Sequence, residues 1–464
     1  MNEHSTLKPT RLLWLLASFF LVYLYSCQKD MSKLPNADNR VSEMARAAQS
    51  FKAKHESAEV VFDWYHYVAN LQLRISPQPV YILLHRSFGY IGVALYEAVR
   101  PGIKHGESFS NLLYQMPQMP KIDEGKPYLW SASANAVLAS LFQKYLTGLS
   151  DADKASIQQH EAATRQSLRQ LAPEDVINRS EAFGRAVATA IYNWSTTDQF
   201  SLLSTTYQPS ALPGSWVPTP PNFPSPTGGD LRYSRPFLSY SLKAVAPEMP
   251  VTYSSDPWSA FYQAAKDVYD IGKSLSAEQK AIANWWADAG GVGVGVPAPY
   301  HTIGIVTQVL ENHHADLEQA AEVYAKTGIA MKDGPINTFR SKYLYNLLRP
   351  VTYIRQQIDP TWLPYLTTPP YPEYPSGLMG VIGPVTQVLI REFGDKPFTD
   401  DSYAWRGLPA RHYSSLSKMA EEAALSRVYA GIHYRWTQYA SIDFGRQMGN
   451  VIADLDLKNP HVKN

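Results

Sequence analysis

A mainly α-helical bundle is the fold class this sequence predicts, and three observations predict it. Apolar residues recur at three- and four-residue spacing through several long segments, strand-like alternation is scarce, and no fixed-period repeat marks a helical solenoid. The chain has 464 residues, 45% hydrophobic and 18% charged, which is ample core-forming material for one large or two ordinary domains. A formal net charge of +1 gives no support for a nucleic-acid partner. The 30 Tyr and 11 Trp supply rings that would dominate a packed core or line clefts.

At the N-terminus, Lys8 and Arg11 precede an almost unbroken apolar run from Leu12 to Tyr25, which ends at Ser26-Cys27. This is a signal-peptide pattern, and the run is short for a membrane span of about 20 residues. An uncleaved membrane anchor is the alternative. Cys27, the sole cysteine, stands where cleavage would fall, and Leu24-Tyr25-Ser26-Cys27 resembles a bacterial lipobox, whose cysteine becomes the lipidated first residue. The expectation is a lipoprotein signal peptide over 1–26, a polar tether over 27–46, and a body anchored to the bacterial cell envelope outside the cytoplasm. With no second cysteine, an internal disulfide is excluded.

Helical periodicity begins at about Ala47, with Val60, Val61, Trp64, Tyr65 and Val68 on one stripe, and recurs over Tyr81 to Val99, Ala134 to Leu146 and Ala182 to Trp194. These segments form an N-terminal half, 47–207. Between Pro209 and Pro257, 11 prolines break the periodicity. The stretch 208–258 also carries Trp216, Phe223, Tyr233, Phe237 and Tyr240, so it reads as an ordered connection wrapped over the helices. In the C-terminal half, 259–464, Ser276 with Gln279 makes a capping box for a helix through Trp285 and Trp286. A long amphipathic pattern runs from His301 to Tyr324, and Leu416, Met419, Ala420, Ala423 and Ala424 form an apolar stripe. The whole of 47–464 is expected to be a single helical domain.

Residues suited to chemistry concentrate in the C-terminal half. On one helix, the seven-residue step from Lys342 to Arg349 turns about 700° and puts both cations on nearly the same face, about 10.5 Å apart along the axis. Pro350 disfavours helical geometry at Arg349, which should stand at the helix end, free to curl back. Two such cations can grip one oxyanion from two sides, solvated surface charges being the alternative. Tyr374-Pro375-Ser376-Gly377-Leu378 reads as a rigid turn running into an apolar stretch. Arg427 and His433 would stand about 120° apart on an uninterrupted helix, and share a ligand only if it lies between them or if Gly431 bends the backbone.

Taken in order, these segments resemble the motifs of the type 2 phosphatidic acid phosphatase and vanadium-dependent haloperoxidase superfamily, in its bacterial haloperoxidase-related branch. The family motifs read Lys-x6-Arg-Pro, Pro-Ser-Gly-His and Ser-Arg-x5-His; here they stand as Lys342 to Pro350, Pro375-Ser376-Gly377-Leu378, and Ser426-Arg427 through His433. The likeness extends to Phe88 through Gly102, to Trp216-Val-Pro-Thr-Pro-Pro221, and to Trp285-Trp286 followed by His301, covering about residues 55 to 455. The resemblance implies two packed helix bundles. It implies further that Lys342, Arg349 and Arg427 bind phosphate or vanadate together with Ser376 and the amide of Gly377. His433 would be either the phosphate-attacking nucleophile or the single protein ligand to vanadium. Phosphate and vanadate are isosteric tetrahedral anions, so one cationic cradle serves both, and no divalent metal is required. The implied substrates are a small phosphate ester, or halide with peroxide.

Two positions depart from the family pattern. Leu378 replaces the histidine that exchanges protons with the leaving group or with peroxide, a loss worth roughly 10²- to 10⁴-fold in rate. Thr437 stands where related sequences often carry an aspartate, and its presence is expected to leave the His433 tautomer less firmly set. His412 and His301 are the candidate substitutes for the missing imidazole, against the reading that both are ordinary polar residues. His313-His314, beside Glu311 and Asp316, reads as a solvated helix face, because adjacent helical residues point about 100° apart. The sequence thus supports an envelope-anchored phosphatase or vanadium haloperoxidase. The alternative is a catalytically degraded relative that serves as an oxyanion-binding or surface interaction protein.

Overall fold

One 29-residue helix, Leu317–Tyr345, forms the axis against which most of the chain is packed. The computed structural model describes residues 52–75, 81–249, 251–288 and 297–458. Among them, thirteen α-helices and one small hairpin follow in order. The N-terminal helices are α1 (Glu59–Gln72), α2 (Tyr81–Val99), α3 (Trp130–Tyr145), α4 (Asp151–Leu168) and α5 (Glu174–Ser195). After the Pro-rich stretch come α6 (Ala260–Lys273), α7 (Ala277–Trp285), α8 (Ala298–Asn312), α9 (Leu317–Tyr345) and α10 (Pro350–Gln357). Then follow α11 (Met379–Phe393), the antiparallel strands β1 (Phe398–Asp400) and β2 (Arg411–Tyr413), α12 (Leu416–Tyr429) and α13 (Arg435–Ala453). The signal-like segment, Cys27 and the tether lie outside the described residues.

The apolar stripes behave as their spacing requires. On α1, Val61, Trp64, Tyr65 and Val68 are buried, with Trp64 Nε1 donating to Asn135 Oδ1 at 2.8 Å and Tyr65 stacked on Tyr324 at 4.2 Å. The capping box at Ser276 and Gln279 opens α7, and a second, at Ser150 and Asp153, opens α4. The pattern from His301 to Tyr324 proves to be two helices: α8 ends at Asn312, His314 adopts φ +52°, and Asp316 caps α9. His313 and His314 therefore stand in an exposed turn, not on a helix face, and His313 stacks on Phe393 at 4.5 Å.

Docking on α9 gives the Pro-rich stretch its order. Leu231 packs with Ile336, Phe339 and Tyr343, the amides of Phe237 and Leu238 donate to the Asp333 carboxylate at 2.7 and 2.9 Å, and the Trp216 amide donates to the Asn346 carbonyl at 2.8 Å. Trp216 and Phe237 are buried, whereas Phe223, Tyr233 and Tyr240 remain exposed.

Helix α9 contacts α2 on one side and α11 on another, and α11 in turn packs on α13. At the α9–α11 crossing, Gly334 lies so close to the Gly380 carbonyl that no Cβ could be accommodated without a shift of backbone. This approach sets the start of α11, and with it the loop carrying Ser376 and Gly377, beside the C-terminal end of α9. That helix ends sooner than its motif suggested. Asn346 takes a left-handed conformation (φ 49°, ψ 37°), one of the few side chains that does so at modest cost. Arg349 is the residue before Pro350 at the start of α10, so Lys342 and Arg349 reach one place from two helices, not from one face.

Candidate anion-binding site

Three segments converge on one loop. Lys342, in the last turn of α9, is fully buried, and its Nζ donates to the carbonyls of Pro372 and Glu373, both at 2.9 Å. Arg349, also fully buried, donates from Nε to the Tyr371 carbonyl at 3.0 Å and from Nη1 to the Ile432 carbonyl at 2.9 Å. The Tyr371 ring lies 5.0 Å from the Lys342 ammonium and 5.2 Å from the Arg349 guanidinium, a π face offered to both cations. The Ser376 amide donates to Ser441 Oγ at 2.8 Å, which fixes the loop to α13. Arg427, near the end of α12, donates to the Trp286 carbonyl and to Ser426 Oγ. Gly431, at φ +79°, then turns the chain and brings His433 round to the same place, so the backbone bend that the motif needed is present.

His433 is 3% exposed, and its Nδ1 lies 2.7 Å from Glu373 Oε1. The same oxygen accepts from the Tyr434 amide at 3.1 Å and from Thr437 Oγ1 at 2.7 Å. This corrects the reading of Thr437 as a lost carboxylate. The carboxylate comes instead from Glu373 in the preceding motif, and Thr437 serves as its hydrogen-bond donor. Burial, reinforced by Arg349, Lys342 and Arg427, holds the His433 pKa well below its usual value. Burial also pushes Glu373 up to about 7, against the pull of Arg349, Thr437 and Lys342. A neutral imidazole whose Nδ1–H faces a carboxylate keeps its lone pair on Nε2, which lies 3.2 Å from Arg349 Nη1. Sequence reasoning had passed over Glu373. Its signal was a single acidic residue among Tyr371, Pro372, Tyr374 and Pro375, where rigid, aromatic neighbours leave a charge buried and in need of a partner.

A cavity of about 200 Å³ opens beside these groups, lined by Gly377, Arg427 and His433 and walled by Phe339, Leu378, Val381 and Ile432. Two buried donors next to it, Arg349 Nη2 and Ser376 Oγ, have no hydrogen-bond partner among the described residues. Burial lowers the pKa of Lys342, Arg349 and Arg427 alike. Buried basic groups held at that disadvantage, with donors unspent, make this a candidate cradle for an anion.

Neither substitute histidine expected from the sequence fills the place of Leu378. His412 sits on the exposed hairpin with its Nδ1 2.9 Å from Thr399 Oγ1. His301 is clamped, with Nδ1 2.7 Å from Asp288 Oδ1 and Nε2 2.8 Å from Asp400 Oδ2. Burial pulls the His301 pKa down, but the two carboxylates outweigh it and hold it up at about 10. Asp288 itself lines the cavity, so this clamp forms part of the wall behind Arg427.

The fold is a helical bundle of the vanadium haloperoxidase architecture, and comparison with known proteins bears the fold out. Residues 322–458 match the family model of the VCPO second helical-bundle domain. The chain is 21% identical over 304 residues to the vanadium chloroperoxidase of Curvularia inaequalis, covering 49% of this chain and 50% of that one. It thus spans about half the length of that curated relative. The crystal structure of the first bacterial vanadium-dependent iodoperoxidase superposes with a TM-score of 0.75 at 29% identity, over 87% of this chain and 98% of that one. A holo-type bacterial vanadium-dependent chloroperoxidase shares the fold, with a TM-score of 0.60 at 16% identity over 81% and 91%. These similarities support the resemblance of the chain to the type 2 phosphatidic acid phosphatase and vanadium haloperoxidase superfamily.

Glu373→Ala should destabilise the fold by about 3 kcal/mol, since it strands the buried partners of a charge, and should weaken phosphate binding. In that background Thr437→Asp should recover part of both losses, read by urea unfolding and calorimetry. In the wild type the same aspartate would crowd Glu373 and destabilise. Equal effects of Thr437→Asp in the two backgrounds would refute the Glu373 assignment.

The His301 clamp carries its own signature in pH. Its folded pKa of about 10 lies above the unfolded value of 6.5, so its stability contribution is full below about 6.5 and lost as pH rises through about 10. Unfolding free energies measured across that range should fall less steeply for His301→Gln than for wild type. Parallel curves would show that the imidazolium is not formed.

Proposed function

We propose that the chain is a vanadate-dependent haloperoxidase-type enzyme whose anion site consists of Lys342, Arg349, Ser376, Gly377, Arg427 and His433. The observation that carries this reading is the Glu373–His433 pair, which turns Nε2 of a neutral imidazole toward the cationic pocket. The residues present fit vanadate: Arg349 Nη2 and Ser376 Oγ are unspent donors, Lys342 and Arg427 add positive charge, and Nε2, whose lone pair here accepts from Arg349 Nη1, would exchange that contact to become the protein ligand to vanadium. Bound vanadate would supply the centre at which peroxide is activated and halide oxidised. Glu373 would hold Nδ1–H in place and raise the basicity of Nε2. The apolar walls would exclude water and strengthen each charge interaction. The similarity to an iodoperoxidase favours iodide as the halide.

The same cradle supports a second reaction, hydrolysis of a small phosphate ester. There His433 Nε2 would form the bond to phosphorus as the ester oxygen leaves with the bonding pair. Leu378 cannot protonate that oxygen, so esters with good leaving groups would be favoured. The N-terminal pattern supports the additional proposal that Cys27 anchors the body to a bacterial cell envelope. Cys27→Ser should then move the protein from the membrane to the soluble fraction, and an unchanged distribution would reject the anchor.

Purified protein loaded with orthovanadate should oxidise iodide with hydrogen peroxide, lose this activity in His433→Ala, and bind vanadate roughly 10-fold or more weakly in Arg427→Ala. Vanadate binding without turnover of iodide or of an activated aryl phosphate would establish the degraded, anion-binding alternative. No binding of either anion would sink the site.

A further inference from the structure

His85 has a ring whose two nitrogens both lack a hydrogen-bond partner among the described residues, although the side chain is only 6% exposed. It lies near the start of α2 and borders the same cavity as Gly377, Leu378, Arg427 and His433. Buried polar groups are nearly always paired, so an imidazole that lines a cavity with both nitrogens buried and unspent is incomplete without a partner. Burial pulls its pKa down to about 3, so at neutral pH the ring is uncharged and offers one N–H and one lone pair. The other candidate histidines are engaged: His301 by Asp288 and Asp400, His412 by Thr399, and His433 by Glu373.

We propose that His85 hydrogen-bonds the oxyanion held beside His433, supplying from α2 the imidazole contact that Leu378 cannot make. The inference rests on the anion-binding reading of the site. Leu378 and His85 come from different helices yet border one cavity, so they are two positions from which an imidazole can reach one ligand. The neutral ring donates its N–H to an anion oxygen and accepts at its lone pair from a protonated oxygen. Leucine at 378 has no polar side-chain atom and so competes for neither contact.

The test titrates inorganic phosphate and orthovanadate into wild type, His85→Leu, Arg427→Ala and the His85→Leu/Leu378→His double variant by calorimetry. Removal of a hydrogen bond to a charged ligand should weaken binding roughly 10-fold in His85→Leu, and histidine at 378 should restore most of it. A crystal of the wild type with vanadate should place one His85 ring nitrogen within about 3.2 Å of an anion oxygen, a readout that holds even if the His85 variant does not fold. Wild-type affinity in His85→Leu, with binding weakened in Arg427→Ala, would overturn the role of His85 while leaving the site intact. So would a vanadate complex with His85 out of reach. Failure of the wild type to bind either anion would overturn both.

Discussion

The carboxylate of Glu373 is the charge on which the candidate site depends. Lys342 and Arg349 are fully buried cations, and His433 is held between them and this one anion. Without it, two like charges would share a low-dielectric space with no opposite charge beside them, an arrangement far more costly than any surface pair. The backbone does the rest. Carbonyls of Tyr371, Pro372 and Glu373 take the cationic N–H groups, and the Ser376 amide is tied to Ser441. A loop of six residues, 371 to 376, thus binds the end of α9, the start of α10 and the start of α13 at once.

That dependence explains what could and could not be read in the sequence. Apolar spacing gave α2 its full length and marked the buried face of α1, because a stripe at helical period reports burial directly. The cations and His433 were legible because motif spacing preserves them, whatever the backbone does between. The helix break at Asn346 was hidden, since a left-handed residue leaves the periodicity of its neighbours unchanged. Partnership across the chain was hidden too. Glu373 and Thr437 are 64 residues apart, and a local reading of Thr437 sees only the missing acid. His85 lies outside the three motifs, on a helix that the sequence marks only by its apolar period.

The N-terminal half takes part in the site through that helix. α2 packs along α9, the helix that carries Lys342, and its first turns border the cavity through Ile82 and His85. The Pro-rich stretch reinforces the other side of α9 through Asp333 and the cluster around Phe339. The close approach of Gly334 and Gly380 therefore matters beyond its own contact. If α11 were displaced from α9, Leu378 and the loop before it would move relative to Lys342 and to His85 together, and the cavity would lose its shape before it lost any single residue.

Satisfied and unsatisfied groups lie side by side here, and the contrast separates a ligand site from a structural ion network. His301 has a carboxylate at each nitrogen, and Asp288 and Asp400 are accounted for by it and by Tyr403, Trp285 and Ser402. That cluster is closed, needs nothing added, and acts as wall. By contrast, on the lining of the same cavity both nitrogens of His85 and Thr338 Oγ1, and next to it Arg349 Nη2, Ser376 Oγ and Glu373 Oε2, have nothing to bond to among the described residues. Three buried basic side chains there face the Glu373 carboxylate, with Asp288 near Arg427, and the unspent contacts include donors as well as acceptors. Folding alone would favour closing such a set or replacing it with apolar side chains. A tetrahedral anion, the proposed ligand, would supply acceptors for the unspent donors around this open volume.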